Sequence, residues 1–119
     1  MTKPQKILGE KAYQIACGSS YSGVNIQGAQ LKDLLDSIGT PSNLGSGDDK
    51  VQAQWVFQLG KDRCMTIYDW KNYNKSLNFV DDWHIGSKNL KTEEITEALS
   101  QLFPDGKVEW FLERDYLRT

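Results

Sequence analysis

The sequence predicts an α+β fold: an antiparallel sheet with two amphipathic helices packed on it. Three observations lead there. Val51 to Leu59 alternates, with Val51, Ala53, Trp55, Phe57 and Leu59 on one side and Gln52, Gln54 and Gln58 on the other; Gly60-Lys61-Asp62 then turns the chain into Arg63 to Trp70, rich in β-formers. Two runs joined by so tight a turn form an antiparallel hairpin. Leu31, Leu34, Leu35 and Ile38, and later Ile95, Ala98, Leu99 and Leu102, stand at i, i+3, i+4, i+7, so each segment is a helix with one apolar stripe. Such stripes have to be buried, and a sheet face can bury them.

The remaining elements are read in chain order. Residues 1–9 are a polar lead-in. From Ala12 to Cys17, Tyr13, Ile15 and Cys17 alternate with polar residues and read as a strand. Gly18-Ser19-Ser20-Tyr21-Ser22-Gly23 reads as a loop, and Val24-Asn25-Ile26 as a short returning strand. The first helix ends at Gly39, with Pro41 barring its continuation. Residues 40–50, "TPSNLGSGDDK", form a surface loop, and 72–82 are irregular. Trp83-His84-Ile85 is short and extended. The second helix begins at Thr92 with Glu93 and Glu94 in its first turn, where the helix dipole favours acids. Pro104-Asp105-Gly106 is a turn, and Lys107 to Glu113 is a last strand.

At 119 residues the chain is one domain, long enough to bury a core without disulfides or metals. A formal net charge of −2 argues against a duplex nucleic-acid partner, which calls for a basic face. Cys17 and Cys64 form neither a C-x-x-C pair nor, with the single histidine, a four-ligand metal set. Both fall inside predicted strands, so buried free thiols are expected, as suits a reducing cytosol. No apolar segment resembles a signal peptide or reaches the ~20 residues of a membrane span. A cytoplasmic protein without a membrane partner is expected.

Catalytic patterns are weak. Gly18 to Gly23 misses G-x-S-x-G by one residue, because Ser22 stands where the second glycine belongs. The carboxylate pairs Asp48-Asp49, Asp81-Asp82 and Glu93-Glu94 are sequence neighbours, and neighbours on a strand point to opposite faces. Phosphate-binding glycine motifs are missing, and His84 has no indicated nucleophile or metal beside it. No catalytic residue, metal or cofactor is assigned. What stands out is a mixture of rings, charges and amides in Thr66 to Tyr73 and again in Asp81 to His84, residue types suited to a small nucleotide. Trp55 and Trp110 belong to the core. Trp70 and Trp83 either pack or present a ring, and His84 is either a structural histidine or a ligand contact.

The segments "LLDSIGTP", "VQAQWVFQ" and "TIYDWKNY", the last followed closely by "DWHIG", resemble a family of small phage-encoded proteins over residues 28–87. The chain departs from that pattern at Gln54, where an acid is common, and at Ser87, where a second glycine is common. Its size, element order and motifs are similar to the Thoeris anti-defence sponge proteins of phages, which bind a cyclic ADP-ribose immune signal, and in some cases cyclic oligonucleotides, without cleaving it. The resemblance implies a non-enzymatic homo-oligomer in the host cytosol that holds a cyclic nucleotide between subunits. In that reading Tyr68 or Trp83 stacks on a base, Asp69 and Asn89 read polar edges, and Lys71, His84 and Arg114 meet phosphate. The loop holding Ser20 and Tyr21 offers backbone amides to an anion. Two alternatives stay open: a protein–protein inhibitor or assembly module, for which exposed Trp, Tyr and Arg are equally suitable, and a small nucleotide-processing enzyme using His84.

Overall fold

In a computed structural model, which describes residues 3–44, 51–70 and 75–112, the chain forms an antiparallel sheet flanked by helices on both faces. The strands are β1 (Gln5–Ile7), β2 (Ser20–Gln27), β3 (Asn43–Leu44), β4 (Ala53–Gly60), β5 (Arg63–Tyr68), β6 (Asp82–Lys88) and β7 (Glu109–Leu112). The helices are α1 (Glu10–Ala16), α2 (Leu31–Ile38) and α3 (Thr92–Leu102). Strand order is β1-β4-β5-β6-β2-β7, with β3 pairing β4 beside β1. The α+β architecture read from the sequence is the one observed.

One sheet face carries the main core. Ala53, Trp55, Phe57 and Leu59 of β4, Met65 and Ile67 of β5, Trp83 and Ile85 of β6, and Val24 and Ile26 of β2 pack with Leu34 and Ile38 of α2 and Ile95, Ala98 and Leu99 of α3. Two tryptophans meet edge to face at its centre, Trp55 and Trp83, with ring centroids 5.6 Å apart. Each also satisfies its one polar atom. Trp55 Nε1 donates to the carbonyl of Gly39 at 2.9 Å, and Trp83 Nε1 donates to that of Ala29 at 2.8 Å. Ala29 precedes α2 and Gly39 ends it, so the two indoles tie both ends of the helix to the sheet.

The second face carries a smaller cluster in which Ala12 of α1, Ile7 of β1 and Val56 of β4 are buried, with Ile15 and Ala16 against them. Lys88 of β6 reaches across to α1 and donates to the carbonyls of Ile15 and Cys17, placing a cation at the negative end of that helix.

Four local readings change. Ala12 to Cys17 is part of helix α1, not a strand. Its inward stripe is buried Ala12 with half-buried Ile15 and Ala16, at i, i+3, i+4, and the alternation of Tyr13, Ile15 and Cys17 does not follow burial, since Tyr13 and Cys17 are exposed. Cys17 is accordingly a surface thiol, whereas Cys64 is buried as expected. The expected lead-in contains β1, and the expected loop at 40–50 contains β3; both are edge segments that borrow their partner from β4. The expected loop at 18–23 opens instead into strand β2 at Ser20. Among the described residues no helix is long and apolar enough to cross a membrane.

Candidate functional site

Side chains on neighbouring strands line up in rows, because residues opposite each other share a face. On the face that carries α1, the register gives three rows. Gln58, Cys64 and Lys88 make the first; Val56, Thr66, Gly86 and Tyr21 the second; Gln54, Tyr68, His84, Asn25 and Phe111 the third. Helix α1 sits over the β4 end of these rows, at Val56. The third row is half-buried along its whole length and is built of rings and amides rather than aliphatic groups.

The rings of that row touch each other and Tyr21 of the second row. Tyr21 and His84 have centroids 4.9 Å apart with planes tilted by 39°, and Tyr68 and His84 are 5.8 Å apart, tilted by 47°. Trp70, just past the end of β5 and 41% exposed, meets Tyr68 edge-on at 6.2 Å. Asn25 Nδ2 donates to Tyr21 Oη at 2.6 Å. Histidine thus lies between two phenols, with a carboxamide held at one side.

Two local devices create this arrangement. The first is a bulge in β2. Tyr21 pairs with Gly86 and Val24 pairs with the adjacent Ile85, so Ser22 and Gly23 are extra. Two inserted residues preserve which face each side chain takes but draw Tyr21 one row nearer to Asn25 and His84. Gly23 has φ of 89°, a conformation costly for a residue with a side chain, and Ser22 braces the bulge by donating to the Ile85 carbonyl while accepting from the Val24 amide. The second device is Gly86. A Cβ there would lie 2.5 Å from Thr66 Oγ1, 3.3 Å from the Tyr68 ring and 3.4 Å from the Ser20 carbonyl. The missing side chain is what lets Tyr68 lean over β6. Burial, and secondarily the neighbouring Tyr21 phenol, pushes the Tyr68 hydroxyl above its ordinary value and keeps it a neutral hydrogen-bonding group.

Of the residues expected at a site, Tyr21, Tyr68 and His84 come together here. Ser20 does not join them: it is the strand neighbour of Tyr21 and pairs with Ser87, which pairs with the core residue Met65, so it takes the opposite face. Trp83 does not. It is sequence neighbour to His84, so strand alternation sends it to the opposite face, where it is fully buried and bonded to Ala29; it offers a ligand no ring face and belongs to the core. Asp69 is also fully buried. Its carboxylate accepts from the Gln52 and Ala53 amides at 2.7 and 3.1 Å and from Gln52 Nε2 at 3.1 Å, so its oxygens fix the start of β4 rather than read a ligand. Asn89 sits beyond the far end of β6, with φ of 59° and Nδ2 donating to the Asp62 carbonyl of the β4–β5 turn. It holds two turns together, away from the ring row. Lys71 and Arg114 lie outside the described residues.

Asn25 and Gly86 are the members that sequence reasoning missed. Asn25 read simply as part of a short strand, and Gly23, read as the end of a loop, is the one residue that could have signalled a bulge. A separate cleft of about 410 Å³ lies between α2 and residues 105–108, lined by Lys32, Asp33, Asp36, Ser37, Asp105, Lys107 and Val108. Its charges are of both signs, and two of the aspartates already serve local turns: Asp33 accepts from the Gln30 amide and Asp105 from the Lys107 amide. Among the described residues no group of three or more His, Cys, Asp or Glu side chains could hold a metal ion. No family model, curated protein or solved structure matches the chain.

Proposed function

We propose that this protein binds a small cyclic nucleotide on the Tyr21–His84–Tyr68 ring cluster and retains it unchanged, acting as a sequestering protein rather than an enzyme. The observation that carries the reading is the cluster itself: three contacting rings and an anchored carboxamide on a half-buried strip of sheet, where a hydrocarbon surface or solvated charges would be the ordinary outcome. Ring faces of this kind stack on bases, each stack contributing about 1–3 kcal/mol. The ring contacts of His84 are of the kind a stacking or anion-contacting role calls for. The similarity of "TIYDWK" and "DWHIG" to the phage sponge proteins points to a cyclic ADP-ribose or cyclic oligonucleotide signal, encountered in the cytosol of an infected host. Both motifs supply residues to the cluster, Tyr68 from one and His84 from the other, with Trp70 of the first against Tyr68.

A strip of sheet covers a base on one side only, whereas tight sites enclose most of a ligand's surface. A second copy of the chain would supply the opposing wall, and in this reading the ligand sits between subunits. The test mixes the pure protein with cyclic ADP-ribose isomers and cyclic dinucleotides, separates free ligand, and heats the protein. Intact ligand released only on heating supports sequestration. Altered ligand overturns it in favour of an enzyme, and the lack of any bound nucleotide removes both. Light scattering on the eluted complex reads the subunit number, and a monomeric complex refutes the between-subunit site.

The second reading is a protein-binding face. Tyr21 and Trp70 are 39% and 41% exposed, and Tyr and Trp are the residues that anchor interfaces. Capture of a host protein that is lost on Trp70→Ala, with no nucleotide bound, would favour it.

A further inference from the structure

We infer that Asp105-Gly106, in the turn between α3 and β7, is a site of spontaneous isoaspartate formation in the folded protein. Asp105 is the only aspartate or asparagine of the chain that glycine follows; every other one precedes a residue with a side chain. A side chain at that position crowds the amide nitrogen that the reaction uses as its nucleophile, and glycine leaves it open.

The fold exposes the pair and bends it the right way. Pro104, Asp105, Gly106 and Lys107 are all exposed. A Cβ placed on Gly106 would meet nothing within 4 Å, so a planar ring has room to form on the backbone there. Gly106 holds φ of 74°, which glycine adopts freely, and the turn lies outside α3 and β7, so no helix or ladder hydrogen bond fixes its peptide. Asp105 Oδ1 accepts from the Lys107 amide at 3.1 Å. That bond runs past Gly106, so the carboxyl is folded back along the chain toward the Gly106 peptide rather than extended into solvent.

The Gly106 nitrogen attacks Cγ of the protonated Asp105 carboxyl. The N–H and Cγ–OH bonds break, an N–Cγ bond forms, and one water leaves, giving a succinimide. Water then adds to one of the two ring carbonyls. Addition at Cγ restores aspartate. Addition at the main-chain carbonyl breaks its bond to the Gly106 nitrogen, so the chain now runs through Cβ and Cγ and the old carbonyl carbon becomes a free carboxylate. Net charge and mass are unchanged, but the main chain gains a methylene. Both ends of the turn are fixed: Phe103 is buried and its amide donates to the Leu99 carbonyl at 2.8 Å, and Val108 is buried. The added length is therefore taken up within the turn, at the expense of the bond between Asp105 and Lys107, and the carboxylate that lines the cleft beside α2 moves. This chemistry needs no ligand and is independent of the ring cluster.

The experiment holds the full chain for several weeks in neutral buffer at body temperature, folded and, in parallel, unfolded in guanidinium. Isoaspartyl methyltransferase with labelled S-adenosylmethionine counts isoaspartate, and the tryptic peptide 92–107 locates it. In the folded chain that peptide is expected to split into two chromatographic forms of equal mass, one of them a methyl acceptor. Asp105→Glu, whose longer side chain cannot close the same ring, should lose the signal. A peptide that stays single in the folded chain overturns the inference, whether or not the unfolded chain converts, and so does methyl acceptance undiminished in Asp105→Glu. Circular dichroism checks the folding of the variant; if Asp105→Glu does not fold, Asp105→Ser, which keeps an acceptor for the Lys107 amide, takes its place with the same expected loss.

Discussion

Adding one methyl group at Gly86 should disturb the fold and the site together. A Cβ there would stand 2.5 Å from Thr66 Oγ1, well inside any normal contact, and 3.3 Å from Tyr68 Cε1. Thr66 is buried and β-branched, so its side chain has few rotamers into which to retreat. Either Thr66 turns, or β5 and β6 part locally, and in both cases Tyr68 is lifted off β6. Overpacking of this kind costs about 1–3 kcal/mol. For a domain of this size a loss of about 2 kcal/mol lowers Tm by roughly 6–12 °C. Urea denaturation of wild type, Gly86→Ala, Thr66→Ala and the double variant measures it. Removing the Thr66 hydroxyl and methyl relieves the closest contact, so the Gly86→Ala penalty in the Thr66→Ala background should shrink by about 1 kcal/mol or more. Near-ultraviolet circular dichroism should change in Gly86→Ala, because Tyr68 contacts both His84 and Trp70. A Gly86→Ala protein as stable as wild type, or a penalty equal in both backgrounds, would refute the packing argument.

Other expectations follow from the same structure. Asp69→Ala leaves the Gln52 and Ala53 amides without their acceptor and should destabilise the protein by about 2–5 kcal/mol in urea, with Asp69→Asn costing less than half of that because one oxygen is kept. Trp83→Phe loses the bond to the Ala29 carbonyl and opens a void in the core, and a cost of about 2–4 kcal/mol in urea denaturation is expected; a variant as stable as wild type would contradict the core role of Trp83. Tyr68 titrates higher in the fold than in the unfolded chain, so its contribution to stability is full below the ordinary tyrosine value near 10 and is lost as pH rises from there toward the folded value. Comparing wild type with Tyr68→Phe by urea denaturation at stepped pH should give a constant stability difference up to about pH 9, then a shift in favour of the phenylalanine variant. A difference that stays flat through pH 11 would contradict burial as the cause.

The hairpin and the two long helices were legible because each has a local period that coincides with its burial. In β4, Ala53, Trp55, Phe57 and Leu59 alternate and are buried, and in α3 the stripe Ile95, Ala98, Leu99 is buried as spaced. Helix α1 was misread because it is only seven residues long, and a short segment can satisfy both periods at once. Strands β1 and β3 were invisible for another reason: at three and two residues they carry too little pattern, and exist through pairing with β4.

The candidate site divides in the same way. The sequence by itself determined the ingredients: the aromatic and amide residues around Tyr68 and His84, and the strict alternation that separates His84 from Trp83. That alternation is a property of any strand, and it removes Trp83 from the site as soon as the strand is accepted. Only the tertiary structure decided which side chains meet. Asn25, Tyr21, His84 and Tyr68 come from three strands, and their order across the sheet depends on β2 inserting between β6 and β7 far from its neighbours in sequence. The register of that insertion rests on the Ser22–Gly23 bulge and on the space left by Gly86. Pairing across such distances is set by the summed burial of the whole core and not by any local run of residues, so no reading of one segment at a time could have assembled the row.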